Sequence, residues 1–266
     1  MSLIVDNPVA VTPAPTRVAN NAVLSLDGVS KRHGVGKNSV VALDGVSLTV
    51  QRGEFVCLVG ASGCGKTTLL SLVAGLDQPT TGTVSVEGRT ALMFQESALL
   101  PWRTAAQNVE LALKLGGVPR RERREQVMEF LRMVHLTDFA NKRPHELSGG
   151  MRQRVALARA LAQRADILLM DEPFGALDAI TRDVLHDELE RVVQERGLTV
   201  LFVTHNVREA SRLGDRIVLL SSRPGRVVEE FEVPVERPRR IESPGVSAIA
   251  ATVTTRLREE VRRHAR

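Results

Sequence analysis

Apolar residues recur along this chain with three different spacings. From Val23 the runs "VLSLDGVSKR" and "VVALDGVSLTV" alternate apolar with polar, and an Asp-Gly pair breaks each. That pattern predicts hairpin strands, with Asp-Gly as the break. "GEFVCLVG", "ADILLMDEP" and "LTVLFVTH" are instead continuous apolar runs. Such runs predict strands buried on both faces, as in a parallel sheet. "GTVSVEG", "TALMFQ", "DRIVLLS" and "GRVVEEFEVP" read as further strands, and "TTLLSLVAGL" as a helix behind the first buried strand. Between about 97 and 165 the spacing becomes helical, in "TAAQNVELALKL" and "RRERREQVMEFLRMVHL", with no strand signal between them. This predicts a helical subdomain inserted into an α/β core. "AITRDVLHDELERVVQERG" sets Leu185, Leu189, Val192 and Val193 on one stripe and stops at Gly197. At the end, Ile249, Val253, Leu257 and Val261 stand four apart, predicting a narrow amphipathic helix with a basic outer face. Residues 1–21, rich in Pro, Ala, Asn and Thr, read as a disordered tail.

Composition narrows the class. The 266 residues are 43% hydrophobic and 25% charged, enough for a sizeable soluble core. Aromatics are scarce: seven Phe, one Trp and no Tyr. The net charge of +5 is concentrated late, because Glu232 to Arg266 holds eight Arg against five Glu. The rest is nearly balanced, so the basic end reads as a solvated face and no nucleic-acid partner is expected. Cys57 and Cys64 lie seven residues apart around a glycine loop, which is not a disulfide framework and fits a reducing cytoplasm. No apolar run approaches the ~18 residues that span a bilayer. The first residues lack the charged start and apolar core of a signal peptide. A membrane role would therefore come through a partner.

The chemistry begins at "GASGCGKT", Gly60 to Thr67, which matches G-x-x-x-x-G-K-[ST] between a buried strand and a helix. Phosphates are crowded anions, so a loop that holds them must bring many backbone N–H groups close. Gly60, Gly63 and Gly65 permit that approach, since a Cβ would obstruct it. The segment Gly60, Ala61, Ser62, Gly63, Cys64, Gly65, Lys66, Thr67 and Thr68 is thus the candidate phosphate cradle. The helix from Lys66 adds its positive end. The Lys66 ammonium reaches the outer phosphates and the Thr67 hydroxyl suits Mg²⁺. Cys64 reads as a small residue filling a tight turn, with a redox-sensing thiol as the sharper alternative.

"ILLMDEP" carries a strand through the core and delivers Asp171 and Glu172 to the end where parallel sheets bind ligands. Asp171 would hold Mg²⁺, directly or through water, and Glu172 would act as general base on the attacking water. Pro173 ends the strand. His205 ends "LFVTH" and Gln95 ends "ALMFQ", so both can face the same phosphates, Gln95 as a metal contact or water-orienting amide. "LSGGMRQR" poses a different question, for it holds no nucleophile, acid or metal ligand. Ser148 can cap a helix whose first turn is Gly149 and Gly150. Its free N–H groups offer a second anion site, for a second phosphate or for a nucleotide held by another copy.

Taken in order, "GASGCGKT", Gln95, "LSGGMRQR", "ILLMDE", "GALD" (Gly175 to Asp178) and His205 resemble the ABC transporter ATPases over about Val23 to Pro234. The resemblance implies a P-loop ATPase domain over 22–234, with a mixed-sheet core, an antiparallel β subdomain and the inserted helical subdomain, followed by a basic extension at 235–266. It implies ATP and Mg²⁺, the latter at Thr67, Gln95 and Asp171. It also implies a head-to-tail homodimer in which Ser148, Gly149 and Gly150 serve the partner's γ-phosphate. Asp178 would lie at the seam, His205 would hold the γ-phosphate, and Gln95 would link the site to a transmembrane permease dimer fed by an extracytoplasmic solute-binding protein. The chain would sit on the cytoplasmic face of the membrane as a peripheral subunit.

"MFQESALLPWRTAAQNV", "DEPFGALDAITR" and "LLSSRPGRVVEEFEVP" resemble more narrowly the nitrate, sulfonate and taurine importer ATPases, with aliphatic sulfonates preferred here. Leu99, Leu100 and Trp102 would sit near the permease or in the subdomain core. Ser222 to Arg226 marks the subfamily but suggests no chemistry. Where the family stacks an aromatic on adenine, this chain has His33, a weaker platform or a plain loop residue; base stacking is worth ~1–3 kcal/mol and imidazole lies toward the low end. A translation ATPase would need two such cassettes, and a repair ATPase a coiled coil that the 85 residues from Gly65 to Gly150 cannot hold. An exporter is disfavoured by the "FQESALLPW" and "SRPGR" segments. A non-hydrolytic binding module is opposed by Lys66, Asp171, Glu172 and His205 together.

Overall fold

The computed structural model describes residues 21–34, 36 and 39–264. The predicted tail, 1–21, lies outside the described residues except for Asn21. Strands β1 (Ala22–His33), β2 (Val40–Gln51) and β4 (Thr81–Val86) form an antiparallel sheet in the order β2-β1-β4. Strands β3 (Phe55–Val59), β5 (Thr90–Met93), β6 (Ile167–Asp171), β7 (Thr199–Thr204), β8 (Arg216–Leu220) and β9 (Val227–Glu232) form the second sheet, in the order β5-β6-β7-β3-β8-β9. It is parallel except for β9, which runs antiparallel to β8 at the edge.

The continuous apolar runs have a simple cause. Val56, Leu58, Leu169, Leu201 and Val203 face one core, shared with the antiparallel sheet and α1 (Lys66–Val73). Phe55, Cys57, Leu168, Met170 and Phe202 face another, covered by helices. Both faces are buried, so no polar alternation survives. Those helices are α2 (Ala105–Leu115), α3 (Arg120–Met133) and α4 (Gly149–Leu161), all between β5 and β6, then α5 (Ala179–Arg196), α6 (Val207–Leu213) and α7 (Pro244–His264). α5 buries Leu185, Leu189, Val192 and Val193, and ends at Gly197 with φ 60°.

Two sequence expectations shift. The Asp-Gly pairs do not turn the chain. Asp27-Gly28 and Asp44-Gly45 sit inside β1 and β2, at register shifts between Leu26 and Val29 and between Leu43 and Val46. Each inserts one extra residue, with glycine at φ 55° or 63°. The left-handed glycine that makes a tight turn also makes a bulge. The bulge lets Leu26 and Val29, three apart, both enter the core. At the other end, α7 packs against α6 and buries Val246, Ile249, Ala250 and Val253. A helix turns about 100° per residue, so a strict spacing of four drifts around it. Val261 has left the buried face and is 42% exposed.

The basic extension is also less solvated than expected. Arg237 pairs with Glu190 at 2.6 Å and Asp215 at 2.8 Å. Buried Arg239 donates to the carbonyls of Val233 (3.0 Å) and Val235 (2.7 Å). These charges anchor the chain leading into α7.

Candidate active site

The segment after β3 wraps the N-terminus of α1. Gly63 and Gly65 have φ of 76° and 99°, left-handed values that favour glycine. A Cβ on Gly65 would lie 2.7 Å from the Ala42 carbonyl of β2, and one on Gly60 would lie 2.8 Å from Cys64 Sγ. Two of the three loop glycines are therefore required by close neighbours from inside the fold. Lys66 is only 6% exposed, and its ammonium donates to the carbonyls of Gly60 (2.8 Å) and Ala61 (3.0 Å). Cys64 is buried and free, and burial pushes its thiol up despite the Lys66 charge. That supports the space-filling reading over the redox sensor.

β6 brings Asp171 to the loop, where Thr67 Oγ1 donates to Asp171 Oδ2 at 2.6 Å. Asp171 is 4% exposed. Burial raises its carboxyl above the ordinary value; the Thr67 hydrogen bond opposes the shift and the Glu172 charge adds to it. Glu172 has a left-handed φ of 45°, rare for a residue with a side chain, with its N–H held by the Val203 carbonyl at 2.9 Å. Such strain at the end of a sheet strand is a mark of functional sites. Glu172 Oε2 lies 3.1 Å from His205 Nδ1 and 3.4 Å from Gln95 Nε2. One carboxylate thus gathers the ends of β5, β6 and β7.

These groups share one cleft of about 460 Å³, walled by His33, Ser62, Gly63, Gly65, Lys66, Thr67, Thr68, Gln95, Asp171, Glu172 and His205. Gly60, Ala61 and Cys64 belong to the loop but not to its wall. Ser148, Gly149 and Gly150 do not line the cleft either. They begin α4, with Ser148 Oγ accepting from the Met151 N–H at 3.2 Å. A Cβ on Gly150 would lie 3.0 Å from Leu177, whereas one on Gly149 would meet only the Arg152 side chain, at 3.8 Å. Gly150 allows close packing, and Gly149 leaves its surroundings open. Asp178 caps α5 by accepting from the Thr181 N–H at 3.0 Å, a bond that holds its carboxyl below the usual range.

Several supporting residues had no signal in the sequence. Gln153 Nε2 donates to the Gln95 carbonyl at 3.3 Å, and Arg159 donates to the carbonyls of Ala98 (2.7 Å) and Ser97 (3.0 Å). α4 therefore holds the loop after β5. Buried Asn108 accepts from the Leu100 N–H at 2.9 Å and pins the next residues. Leu99 packs on the core and Leu100 is half-buried, while Trp102 is 68% exposed. The core reading thus fails for Trp102. Behind His205, Glu209 meets the Thr204 hydroxyl and lies 2.8 Å from His186 Nε2, a buried network that fixes the start of α6. Arg223 also lines the cleft.

A family profile described as ABC transporter matches residues 43–175. The chain is similar to the nitrate import ATP-binding protein of Synechococcus elongatus, with 43% identity covering 88% of this chain and 89% of that protein. It is similar to the aliphatic sulfonates import ATP-binding protein of Burkholderia lata, with 46% identity covering 95% and 78%. Among solved structures it is similar to a dimeric, post-hydrolysis state of an ATP-binding cassette bound to ADP and Pi. That match has a TM-score of 0.74 and 36% identity, and covers 80% of this chain and 100% of the other.

Proposed function

The chain belongs to the ABC transporter ATPase family, and on that premise we propose that it drives import of a small anionic solute, aliphatic sulfonates first, with taurine and nitrate as alternatives. The observation that carries the catalytic reading is Glu172 Oε2 lying between His205 and Gln95, beside the Thr67–Asp171 pair. The phosphates of ATP would rest on the N–H groups of Ser62, Gly63 and Gly65 to Thr68, which line the cleft, and Lys66 would turn from the Gly60 and Ala61 carbonyls to the outer phosphates. Glu172 takes the proton of the attacking water as general base, and His205 holds the γ-phosphate.

The hydroxyl of Thr67, the carboxylate of Asp171 and the amide oxygen of Gln95 make an all-oxygen donor set that fits a hard divalent cation. Mg²⁺ held there would neutralise charge on the β- and γ-phosphate oxygens. His33, on the cleft wall, is the candidate platform for adenine. An unchanged KM for ATP in His33→Tyr would remove that role.

Ser148, Gly149 and Gly150 lie outside their own cleft, which supports their service to a second copy in a head-to-tail dimer. The exposed Trp102, on a loop pinned next to Gln95, supports a permease contact. No described helix is long and apolar enough to cross a membrane. The chain then works from the cytoplasmic face, and the solute is chosen by the permease and a solute-binding protein.

Light scattering on Glu172→Gln with Mg-ATP tests the central claim. Removing the base traps ATP, so the variant dimerises, and Ser148→Arg in the same chain abolishes dimerisation. A variant that binds ATP yet stays monomeric, alone and with the permease, overturns the dimer. The solute follows from which loaded binding protein stimulates hydrolysis by the reconstituted complex.

A further inference from the structure

The turn between β8 and β9 has no part in the function above, yet it is built to hold one shape. Ser221 Oγ donates to the Pro224 carbonyl at 2.7 Å and accepts from the Arg226 N–H at 2.9 Å. The Ser221 N–H donates to the Arg226 carbonyl at 2.9 Å. The turn is also stitched to β2: the Gly225 N–H donates to the Ala42 carbonyl at 2.9 Å, and the Gly225 carbonyl accepts from the Asp44 N–H at 3.0 Å. A Cβ on Gly225 would clash with the carbonyl of Cys64, so only glycine lets the turn approach the phosphate loop this closely. Arg226 is paired with Asp44.

Arg223 is the cation this construction leaves over. Its Nε donates to the Gly63 carbonyl at 3.3 Å, and a terminal nitrogen stands 3.5 Å from where a Cβ on Gly63 would be. Among the described residues, no carboxylate pairs with it. A guanidinium has five N–H donors, and one resting on a loop carbonyl leaves the others free. The group lines the same cleft as Lys66 and Thr67. Lys66 is buried within the loop, whereas Arg223 is exposed at its Gly63 tip. A planar, permanently charged fork on a rigid turn is pre-organised for phosphate oxygens.

We propose that Arg223 is a substrate-binding residue whose guanidinium takes the phosphate chain of the bound nucleoside triphosphate, opposite Lys66. The proposal rests on the cleft being the nucleotide site. It gives the Ser222–Arg226 segment a chemistry, and it places a phosphate contact in a chain whose adenine platform is only an imidazole.

The test is calorimetric titration of the full chain, in the non-hydrolysing Glu172→Gln background, with ATP and separately with inorganic tripolyphosphate. Arg223→Gln keeps an N–H for the Gly63 carbonyl but removes the charge, so mere propping of the loop would survive it. The expected result is about tenfold weaker binding of both ligands. Arg223→Lys, which keeps the charge but loses the fork, falls between the two. Unchanged affinities in Arg223→Gln overturn the proposal. So does weaker ATP binding with tripolyphosphate unaffected, which would assign the guanidinium to the base. If the parent chain binds neither ligand, the nucleotide reading itself falls, and this proposal with it.

Discussion

Burial raises the Asp171 carboxyl above its ordinary value, and the neighbouring Glu172 adds to the shift. An acid whose pKa is higher folded than unfolded binds more protons in the native state between the two values. Stability therefore falls as pH rises through that window and stays lowered above it. Asp171→Asn removes the penalty and keeps an acceptor for the Thr67 hydroxyl. It is expected to melt above wild type at neutral pH, with the gap closing below the unfolded carboxylate pKa, and to lose hydrolysis. Calorimetric scans across pH, beside an ATPase assay, check both halves. Glu172→Gln is expected to slow turnover by about 10²- to 10⁴-fold, the usual contribution of a general base, while ATP still binds; single-turnover kinetics separates the two. That the glycine loop and the two acids meet at one cleft was legible because each motif is contiguous and lies at a strand end. Arg223 was not, because its position depends on β8 lying next to β3 in the sheet, and no local pattern states a crossover.

At the level of elements, period identified the strands and helices, but one signal served two geometries. Asp-Gly supplies a left-handed residue, and whether that becomes a turn or a bulge depends on the partner strand. The register of β1 on β2, with Leu26 and Val29 both buried, settles it. In α7 the four-residue spacing was right for three positions and failed at the fourth, because a straight helix drifts. The two ends should respond differently. Val253→Ala, at a fully buried site, is expected to cost about 1–3 kcal/mol. Val261→Ala should stay within about 0.5 kcal/mol. Urea unfolding of both variants compares them; equal losses would mean that the helix docks on another face. The anchors Gln153, Arg159 and Asn108 were not legible because polar residues on helices normally face water. Only the fold shows which carbonyls they reach.

In the whole molecule, α4 is the element that joins distant places. Ser148 caps its N-terminus, and Gln153 and Arg159 further along grip the loop of Gln95. Trp102 stands exposed on the continuation of that loop. At the proposed permease contact, Trp102→Ala is expected to leave hydrolysis by the isolated chain within about twofold but to weaken assembly by about thirtyfold, the loss typical of an interfacial hot-spot tryptophan. Co-purification and permease-stimulated turnover report the two effects.

That Ser148 does not line its own cleft also has a consequence for inheritance. In the proposed head-to-tail dimer, a chain with Lys66→Ala and a chain with Ser148→Arg would each form only pairs with both sites defective. Mixed, the two defects meet in a single site, and the other site receives a sound cradle from one parent and a sound serine from the other. A cell carrying both defective alleles should therefore transport where a cell carrying either one does not, so loss-of-function alleles of this gene would sort into two groups that rescue each other.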